Sequence, residues 1–573
     1  MKQFFIISIK AVIVLVLVAV TPQLNAQKVA LENNWGKQGA TLLEQNSQGV
    51  TLNFSVQDYL LSETSVEREA MNTITTKGVL LQNSEGAPNV PGFSKYIAIP
   101  QGAVAKARVI RKQTQTANDI SIAPAPRIPL DTEKGPLSYK KDQGIYTKDS
   151  FYPENIIQVS KPMKIRGVDV VLIGVSPFQY NPVTKELLVH QDIEIEITFE
   201  GGNGQFGDNR LRSRWWDPIV RDAVINEASI PTKKVSSSSR TQTGCEYIII
   251  VPDDPSYLSW ADSIRVFRLK QGITTQIFTT TEIGGNTTTA IENFINNAYN
   301  TWDIPPAAAL LMADYGTAGN TITSPIWDNY CISDNFYADV DGDMMPDVVM
   351  ARMTAQNNTH LETMVTKFLN YERNPPTNPG FYDNPITAMG WQTERWFQIC
   401  SEVIAGFFEN SLGKSPVREN AIYSGNPGGG IWSTATNTQT VLDYFGENGL
   451  GYIPSSPNYL TDWGGNATRI NNDINSGAFV LQHRDHGSET GWGEPSYNTG
   501  SIDGLTNSDL VYVFSCNCLT GKFNITGECF AEKFHRYKYN GNNSGALGIM
   551  AATEVSYSFV NDTYTWGIYD NMW

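Results

Sequence analysis

Two different patterns of hydrophobic and polar positions follow one another along the chain. Up to about residue 240, apolar and polar side chains alternate over short stretches, as in Val50–Val56 and Ile193–Ile197. This alternation is typical of half-buried β-strands. From Cys245 onward, short apolar runs such as Glu246–Pro252 alternate with helical stretches such as Leu258–Leu269. Strands that are buried on both faces and alternate with helices predict a mostly parallel sheet flanked by helices.

The chain is therefore predicted to be an α/β protein whose parallel sheet is preceded by a β-rich, sandwich-like domain. In the second half we expect a further helix at Thr288–Tyr299 and further strands at Thr274–Phe278, Ala307–Met312, Ala388–Met389, Ala478–Leu481, Leu510–Phe514 and Ala546–Ala551. In a parallel sheet, active sites gather where the carboxyl ends of the strands open into loops. The ends of these strands are therefore the places to look for chemistry.

The segment before the first strand predicts export. Lys2 and Lys10 precede the apolar run Ala11–Val20, and Leu24–Ala26 is a suitable cleavage site for a signal peptide that covers residues 1–26. The run is shorter than the roughly 20 residues that a membrane span needs, so an uncleaved anchor is the weaker alternative. We expect a secreted or cell-surface protein with no membrane span once the signal peptide is removed.

A second boundary lies between the two patterns. Four serines, Ser236–Ser239, lie between Lys234 and Arg240. A serine run flanked by basic residues and lacking apolar periodicity is typical of an exposed linker, which proteases cut readily. The segment is either a plain tether or an activation site cut at Arg240 or Lys234. It separates a β-rich domain at 27–240 from a second domain at 241–573.

The two domains differ in charge. The whole chain carries 42 Lys and Arg against 58 Asp and Glu, a net charge of −16. Residues 27–240 hold 25 basic and 23 acidic residues, whereas residues 241–573 hold 15 and 35. An acidic protein of this kind is unsuited to nucleic acid or an anionic membrane as its main partner. The net charge of +2 on residues 27–240 beside the net charge of −20 on residues 241–573 also predicts a weak electrostatic attraction between the domains. High salt would weaken this attraction.

Two predicted strand ends carry side chains suited to nucleophilic catalysis. His483 and His486 follow one strand, and Cys516 and Cys518 follow the next. A thiol needs a base or a cation beside it to act as a nucleophile near neutral pH. Gly487 lets its backbone N–H approach an oxyanion without hindrance. Two other interpretations stay open here, inert packing of the cysteines and a zinc site formed by these two histidines and two cysteines.

An ordered set of motifs makes the assignment more specific. The stretch His486–Gly493 resembles the histidine motif of the gingipain family of secreted bacterial cysteine peptidases. Further matches to that family follow in its order and at suitable spacing, at Leu505–Ser508, Cys518–Phe523, Cys529–Glu532 and Gly548–Thr553. The resemblance covers residues 241–573, and more loosely the preceding β-rich region as the family's inhibitory propeptide.

The resemblance implies a caspase-like fold for 241–573 and a catalytic pair. Cys518 would be the nucleophile and His486 the base or acid, while the backbone N–H groups of Gly487 and Cys518 would bind the oxyanion. Cys516 is the competing nucleophile, but the Gly-Lys-Phe that follows matches the family better with Cys518.

Three further positions follow from the same resemblance. Glu394 is the only acid in the segment that matches the family's histidine-orienting residue, and a carboxylate favoured by a helix N-terminus is the alternative. Asp485 replaces the glycine that the family commonly has before the histidine, and either acts on His486 electrostatically or faces solvent. The arginine-specific members carry a carboxylate in their specificity pocket, whose nearest match, Phe397, is not acidic.

A separate acidic cluster surrounds a glycine turn, with Asp339, Asp341, Asp343 and Asp347 close together. Carboxylates at alternate positions can converge on a hard cation such as calcium, and they would repel one another without it. Gly342 falls at the fourth position of the loop rather than the sixth, so the cluster is not an EF-hand. We expect a structural calcium site, with a solvated acidic turn as the alternative.

The leading hypothesis is an exported cysteine endopeptidase made as a zymogen. It would hydrolyse protein or peptide substrates through an acyl-enzyme, and the β-rich domain would act as an intramolecular inhibitor until the linker is cut. The alternative is a non-catalytic surface-binding module that retains the fold. The family usually continues beyond the last predicted strand, so whether the peptidase domain is truncated at Trp573 stays open.

Overall fold

The computed structural model describes residues 26–232 and 243–572. The predicted signal peptide, apart from its last residue, and both candidate cleavage positions, Lys234 and Arg240, lie outside these residues. Every helix within the described ranges is too short or too polar to cross a membrane.

Residues 26–232 are built from antiparallel strands in three sheets, with strand orders β1-β4-β5, β6-β10-β8 and β11-β12-β3-β2. The strands are β1 (Ala26–Ala30), β2 (Gly39–Asn46), β3 (Gly49–Ser55), β4 (Asp58–Val66), β5 (Glu69–Thr75), β6 (Phe93–Ala98), β7 (Ala103–Ala117), β8 (Ile157–Val159), β9 (Met163–Ile165), β10 (Val168–Val175), β11 (Phe178–Asn181) and β12 (Glu186–Gly201). β9 also pairs with β10, and β7 pairs with β12. Two short helices complete this domain, α1 (Gln143–Tyr146) and α2 (Asp217–Ala223).

The alternating pattern of β12 shows why these residues form a sandwich. Its isoleucines, including Ile193 and Ile195, are completely buried in a core shared with β3, β6 and β10. The intervening Glu194 and Glu196 point outward, and Glu194 accepts a hydrogen bond from Arg111 of β7 at 2.7 Å. The two larger sheets thus enclose one apolar core, as predicted for the β-rich domain.

The second domain contains two parallel sheets, with strand orders β14-β13-β15-β18 and β20-β19-β21-β25-β28. Its strands are β13 (Tyr247–Val251), β14 (Thr275–Thr279), β15 (Ala308–Leu311), β16 (Ile326–Trp327), β17 (Cys331–Ile332), β18 (Val349–Arg352), β19 (Ile386–Gln392), β20 (Val417–Ser424), β21 (Val480–Arg484), β22 (Gly487–Ser488), β23 (Gly491–Trp492), β24 (Tyr497–Asn498), β25 (Val511–Cys516), β26 (Lys538–Tyr539), β27 (Asn542–Asn543) and β28 (Ala546–Ala551). The short strands among them form small antiparallel pairs in the loops.

Helices connect the parallel strands of this domain. They are α3 (Pro255–Lys270), α4 (Thr288–Thr301), α5 (Asn335–Ala338), α6 (Asn358–Arg373), α7 (Pro379–Asp383), α8 (Phe397–Gly406), α9 (Thr438–Phe445), α10 (Ala467–Ser476), α11 (Phe530–Arg536) and α12 (Val560–Met572). The first of them begins where Asp254 accepts a hydrogen bond from Ser256 N–H at 2.8 Å, with Pro255 at the first helical position. The predicted α/β class is confirmed, but the parallel strands are divided between two sheets. The apolar runs identify strands without identifying their neighbours.

Strands β21 and β25 are parallel neighbours, and their register pairs Arg484 with Cys516. Both strands therefore end at the same edge of the sheet, and the loops that follow them emerge side by side. These loops carry His486 and Cys518, so the predicted juxtaposition of a histidine loop and a cysteine loop is what the fold produces.

The β-rich domain contacts the parallel domain through a buried arginine. Arg166, only 2% exposed, donates from Nη1 to the carbonyl oxygens of Pro306 at 2.6 Å and Asp347 at 2.7 Å. Its Nε donates to the carbonyl of Leu211 at 3.1 Å. Burial lowers the pKa of Arg166 to about 10, so it remains charged at neutral pH. The contact therefore depends on the charged guanidinium of Arg166, whose hydrogen-bond acceptors are main-chain carbonyl oxygens.

Arg166→Ala is expected to lower the free energy of unfolding of the full chain by about 3 kcal/mol, because it leaves buried carbonyl groups without a donor. Chemical denaturation of the two proteins measures this difference. The control is Arg265→Ala, which removes a partly exposed arginine paired with Asp262 on α3 and is expected to cost roughly 0.5 kcal/mol or less. Equal losses in the two variants would contradict the structural role of Arg166.

Candidate active site

His486 lies just after β21 and is held by a glutamine. Its Nε2 lies 2.7 Å from Oε1 of Gln392, the last residue of β19. An amide oxygen only accepts hydrogen bonds, so Nε2 carries the proton and Nδ1 is left as the basic nitrogen. Gln392 is fixed in turn by Gln398, whose Oε1 accepts from the Gln392 N–H at 3.3 Å and whose Nε2 donates to its carbonyl at 3.2 Å. The imidazole is thus oriented through two successive glutamines.

The proposed orienting residue Glu394 does not hold the histidine in this structure. Gln392 occupies that place instead, and Glu394 lies two residues further on, in the turn between β19 and α8. The side chain of Gln392, at the end of its strand, projects over the edge of the sheet where His486 lies. The turn that follows places Glu394 beyond His486. Glu394 touches the neighbouring network only through its carbonyl, which accepts from Nη1 of Arg395 at 2.9 Å.

Cys518 lies in the loop after β25 and is completely buried. The N–H of Ser556 donates to its Sγ at 3.5 Å, and the Ser556 hydroxyl lies 3.7 Å from the same sulfur. The following residue, Leu519, has a φ of 63°, a left-handed conformation that is rare for a bulky side chain and that marks a sharp turn. Burial raises the pKa of the Cys518 thiol above its usual value.

Cys516 faces a different part of the molecule. Its Sγ lies 2.8 Å from the hydroxyl of Thr565 on α12 and 3.6 Å from the carbonyl oxygen of Asn561. Burial raises the pKa of Cys516 to about 11, so it is a packed thiol rather than an activated one. The loop position of Cys518, next to the His486 loop, is the better one for a nucleophile.

His483 is a structural residue rather than a metal ligand. Its Nδ1 accepts from Nδ2 of Asn517 at 2.8 Å, and its Nε2 donates to the carbonyl of Glu494 at 3.1 Å. The ring stacks on Trp492 with 4.1 Å between centroids, and burial lowers its pKa to about 3. With both ring nitrogens occupied, His483 cannot join His486 and the two cysteines around one zinc ion.

Gly487 directs its N–H out of the β22–β23 hairpin. The N–H of Gly493 donates to the carbonyl of His486 at 2.9 Å, so these two residues form a hydrogen-bonded pair of the β22–β23 hairpin. Antiparallel pairs alternate, so the N–H of Gly487 points away from its partner strand. A Cβ at Gly487 would lie 2.6 Å from the carbonyl oxygen of Cys518. Glycine is therefore required for the close approach of the two loops.

Asp485 is buried rather than exposed to solvent. Its Oδ2 accepts from the N–H of Glu494 at 2.6 Å, and a Cβ at Gly390 would lie 2.4 Å from its carboxyl carbon. Burial raises the pKa of this carboxyl well above its usual range. Asp485 therefore braces the loop that carries His486 and does not face solvent.

A segment of the β-rich domain lies against both candidate catalytic residues. Asp131 donates from its N–H to the carbonyl of Ser556 at 2.8 Å, and the N–H of Ser556 donates in turn to Sγ of Cys518. Burial lowers the pKa of His486 to about 4, although the carboxylate and the backbone of Asp131 both favour the charged imidazolium. The cleft between the His486 and Cys518 loops is therefore closed to solvent by residues of the N-terminal domain. No motif in the sequence around Asp131 predicts that this segment lies in the cleft.

The acidic cluster lies apart from this cleft and brings together three of its four aspartates. Asp339, Asp341 and Asp347 each offer an oxygen within 4.8 Å of the other two. Asp343 instead accepts from the N–H of Lys164 at 2.5 Å, and the ammonium of Lys164 lies 3.4 Å from Asp341. Burial raises the pKa of Asp347 to about 6. Three converging carboxylates suit a hard cation, and among the described residues they are the one such group of three or more metal-ligating side chains.

Comparisons with known proteins agree with the motifs. The model of "Peptidase family C25" matches residues 240–573, and the model "Propeptide_C25" matches residues 32–212. Gingipain R1 of Porphyromonas gingivalis is 24% identical over 529 residues, which cover 89% of this chain and 48% of that protein. Lys-gingipain W83 of the same organism is 24% identical over 528 residues, which cover 90% of this chain and 27% of that protein. The chain therefore spans about half of the first relative and about a quarter of the second.

A solved structure is also similar. The crystal structure of the Arg-specific cysteine proteinase gingipain R aligns with a TM-score of 0.45 at 20% identity, covering 58% of this chain and 67% of that chain. The resemblance to the gingipain family that the motifs predict is confirmed by the family models. Because the family pattern extends over more than half of its length, this chain belongs to peptidase family C25.

Proposed function

We propose that the protein is a cysteine endopeptidase made as a zymogen, with Cys518 as the nucleophile and His486 as the acid and base. The observation that carries the proposal is the segment that ends at Asp131, which pairs through its main chain with Ser556–Ser558, where the N–H of Ser556 donates to Sγ of Cys518. A peptide that pairs through its main chain beside the nucleophile is the arrangement that a peptidase needs for its substrate.

The chemistry follows from the groups on the two loops. Nδ1 of His486 accepts the thiol proton as Cys518 attacks the peptide carbonyl, and the backbone N–H groups of Gly487 and Cys518 stabilise the oxyanion. The same imidazole then gives its proton to the leaving amine, and water hydrolyses the acyl-enzyme. Gln392 is the residue that we propose for orienting His486, in place of Glu394. Its hydrogen bond to Nε2 keeps Nδ1 directed at the reaction.

The N-terminal domain would hold this pair inactive. With the cleft covered, burial raises the pKa of Cys518 and lowers that of His486 to about 4, so both groups are neutral near pH 7. A neutral thiol is a poor nucleophile. We propose that cutting the linker at Arg240 or Lys234 releases the domain and admits water and substrate. Export through a signal peptide at residues 1–26 belongs to the same proposal.

A structural calcium ion is a separate proposal for the acidic cluster. Asp339, Asp341 and Asp347 would hold it, while Asp343 is turned toward the β-rich domain. The ion would offset the mutual repulsion of these carboxylates and fix the loop before β18. The support is the convergence of three carboxylate oxygens on one point.

Cys518→Ala is expected to lower kcat/KM for peptide hydrolysis by roughly 10⁴-fold or more, because it removes the nucleophile. Assays with a peptide library on the linker-cut protein measure the loss. Cys516→Ala is the matched control and is expected to retain activity, since that thiol packs against Thr565. Undiminished hydrolysis by Cys518→Ala would refute the peptidase proposal and favour a non-catalytic binding module.

In the intact chain, Cys518 is expected to react with iodoacetamide more slowly than the half-buried Cys331, and its rate is expected to rise only at pH values above those of an ordinary thiol. The raised pKa leaves less thiolate at any given pH. After trypsin cuts the linker, we expect the rate at Cys518 to rise roughly tenfold or more at pH 7. Mass spectrometry of the labelled peptides measures both cysteines in one sample.

The control for this experiment is a chain in which Lys233, Lys234 and Arg240 are changed to glutamine. It is expected to keep the slow rate after the same trypsin treatment, because the domain stays attached. A rate that does not respond to cutting in the original chain would contradict latency by the N-terminal domain.

Calcium is expected to raise the free energy of unfolding of the full chain by about 2.7 kcal/mol when its concentration is a hundred times Kd. Thermal unfolding after EDTA treatment, with and without added calcium, measures the shift. Asp341→Asn is expected to remove most of it, whereas Asp343→Asn, outside the group of three, is expected to keep it. Identical unfolding with calcium and with EDTA would show that the turn binds no calcium.

A further inference from the structure

The segment that ends at Asp131 is bound through main-chain hydrogen bonds on either side of one isolated bridge residue. The N–H of Asp131 donates to the carbonyl of Ser556 at 2.8 Å, and the N–H of Ser558 donates to the carbonyl of Pro129 at 3.1 Å. Leu130 lies opposite Tyr557 in an antiparallel bridge. These bonds use only backbone groups, so any peptide with a suitable side chain at the position of Asp131 can form them. Discrimination between peptides must therefore come from the side-chain pocket.

The carboxylate of Asp131 is completely buried in a pocket lined by hydrogen-bond donors. Arg484 donates from Nη1 to Oδ2 at 2.9 Å and from Nη2 to Oδ1 at 3.3 Å. The hydroxyl of Ser558 donates to Oδ1 at 2.5 Å, and the amide of Asn561 donates to Oδ2 at 2.7 Å. The hydroxyl of Ser556 adds a longer bond of 3.4 Å to Oδ2. Both carboxylate oxygens thus accept from at least two groups each.

The pocket is fixed by contacts that do not involve the N-terminal domain. Nε of Arg484 donates to Oδ1 of Asp562 at 2.6 Å, and the guanidinium stacks on the ring of Phe397 at 4.2 Å. Oδ2 of Asp562 accepts from the N–H of Phe559 at 2.9 Å. Arg484 is therefore held with its two Nη groups directed into the pocket whether or not Asp131 is there. A positioned guanidinium fork matches the two oxygens of a carboxylate.

The position of the backbone relates the pocket to the reaction. The N–H of Asp131 donates to the carbonyl of Ser556 at 2.8 Å, and the N–H of Ser556 donates to Sγ of Cys518 at 3.5 Å, so residue 131 lies beside the proposed nucleophile, where the residue before a scissile bond would lie. We propose that this pocket is the specificity site of the peptidase, that it takes the side chain of an aspartate immediately before the cleaved bond, and that Asp131 occupies it as a substrate mimic. This inference rests on the proposed function.

Other side chains fit the pocket less well for physical reasons. Lysine or arginine would place a second cation against the buried guanidinium of Arg484. Asparagine would turn an amide N–H₂ toward an arginine that can only donate. Glutamate has the right charge but is one methylene longer, and a completely enclosed site does not accept the extra volume without strain. Aspartate alone matches the charge, the acceptors and the length.

Cleavage is tested on the linker-cut protein with peptides that differ only in the residue before the scissile bond. The aspartate peptide is expected to have a kcat/KM roughly 100-fold or more above that of the asparagine peptide, with glutamate, lysine and arginine peptides also well below it. Equal or better cleavage of the asparagine or arginine peptide overturns the inference.

Binding is tested separately on the linker-cut protein carrying Cys518→Ala and Asp131→Ala, in which neither the nucleophile nor the propeptide aspartate is present. Fluorescence anisotropy compares labelled peptides that end in aspartate or in asparagine, and we expect roughly tenfold tighter binding of the aspartate peptide. Equal binding overturns the pocket assignment whatever the cleavage result. Tighter binding of the aspartate peptide without any cleavage upholds the pocket and refutes the proposed peptidase.

Asn561→Asp tests the pocket by an isosteric change. It places a carboxylate next to the bound aspartate, so kcat/KM for the aspartate peptide is expected to fall roughly tenfold or more while that for the asparagine peptide does not fall. The same substitution at Asn571, an exposed residue in the last turn of α12, is the matched control and is expected to change neither value. A parallel fall for both peptides in Asn561→Asp would indicate a structural effect and contradict the role in specificity.

Discussion

The guanidinium of Arg484 is completely buried at the end of β21, and a buried cation has to be neutralised where it lies. Asp562 on α12 and Asp131 in the N-terminal domain do this, both without exposure to solvent. Burial alone would lower the pKa of Arg484, but these two carboxylates raise it well above its usual value. One charge network therefore ties the central sheet, the last helix and the N-terminal domain together at the candidate active site.

That network connects inhibition with recognition. If the N-terminal domain leaves, Asp562 still pairs with Nε of Arg484, but both Nη groups lose the carboxylate of Asp131, and Nη1 keeps the carbonyl of Cys516 at 3.4 Å. The donors that line the pocket are then exposed to water, and a peptide that returns a carboxylate to them forms the same charge-assisted hydrogen bonds that Asp131 formed. The same donors that hold the propeptide in place would thus select the substrate, and latency and specificity follow from one constraint.

The sequence was sufficient for the parts of the site that depend on local pattern. Apolar runs located β21 and β25, and the residues directly after them, His486 and Cys518, emerge at one edge because those strands are parallel neighbours. Gln392 was not predicted, because the residue that meets an imidazole depends on which strand lies beside β21 and not on its chemical type. Asp131 lies 353 positions before Arg484, and no periodicity or motif connects the two.

Net charge proves to be a poor guide to how the two domains adhere. A propeptide with a net charge of +2 beside a domain with a net charge of −20 predicts attraction through many weak ion pairs at the surface. The exposed ion pairs between the two domains are contacts such as that of Lys164 with Asp341 at 3.4 Å, which solvent partly screens. The buried contacts follow a different logic. Arg166 is bound by carbonyl oxygens. At the cleft, the charges are the reverse of the net charges of the two domains, because the carboxylate of Asp131 belongs to the propeptide and the guanidinium of Arg484 belongs to the acidic domain. Salt screens exposed charges far more than buried ones, so the cleft contact resists ionic strength that loosens the periphery.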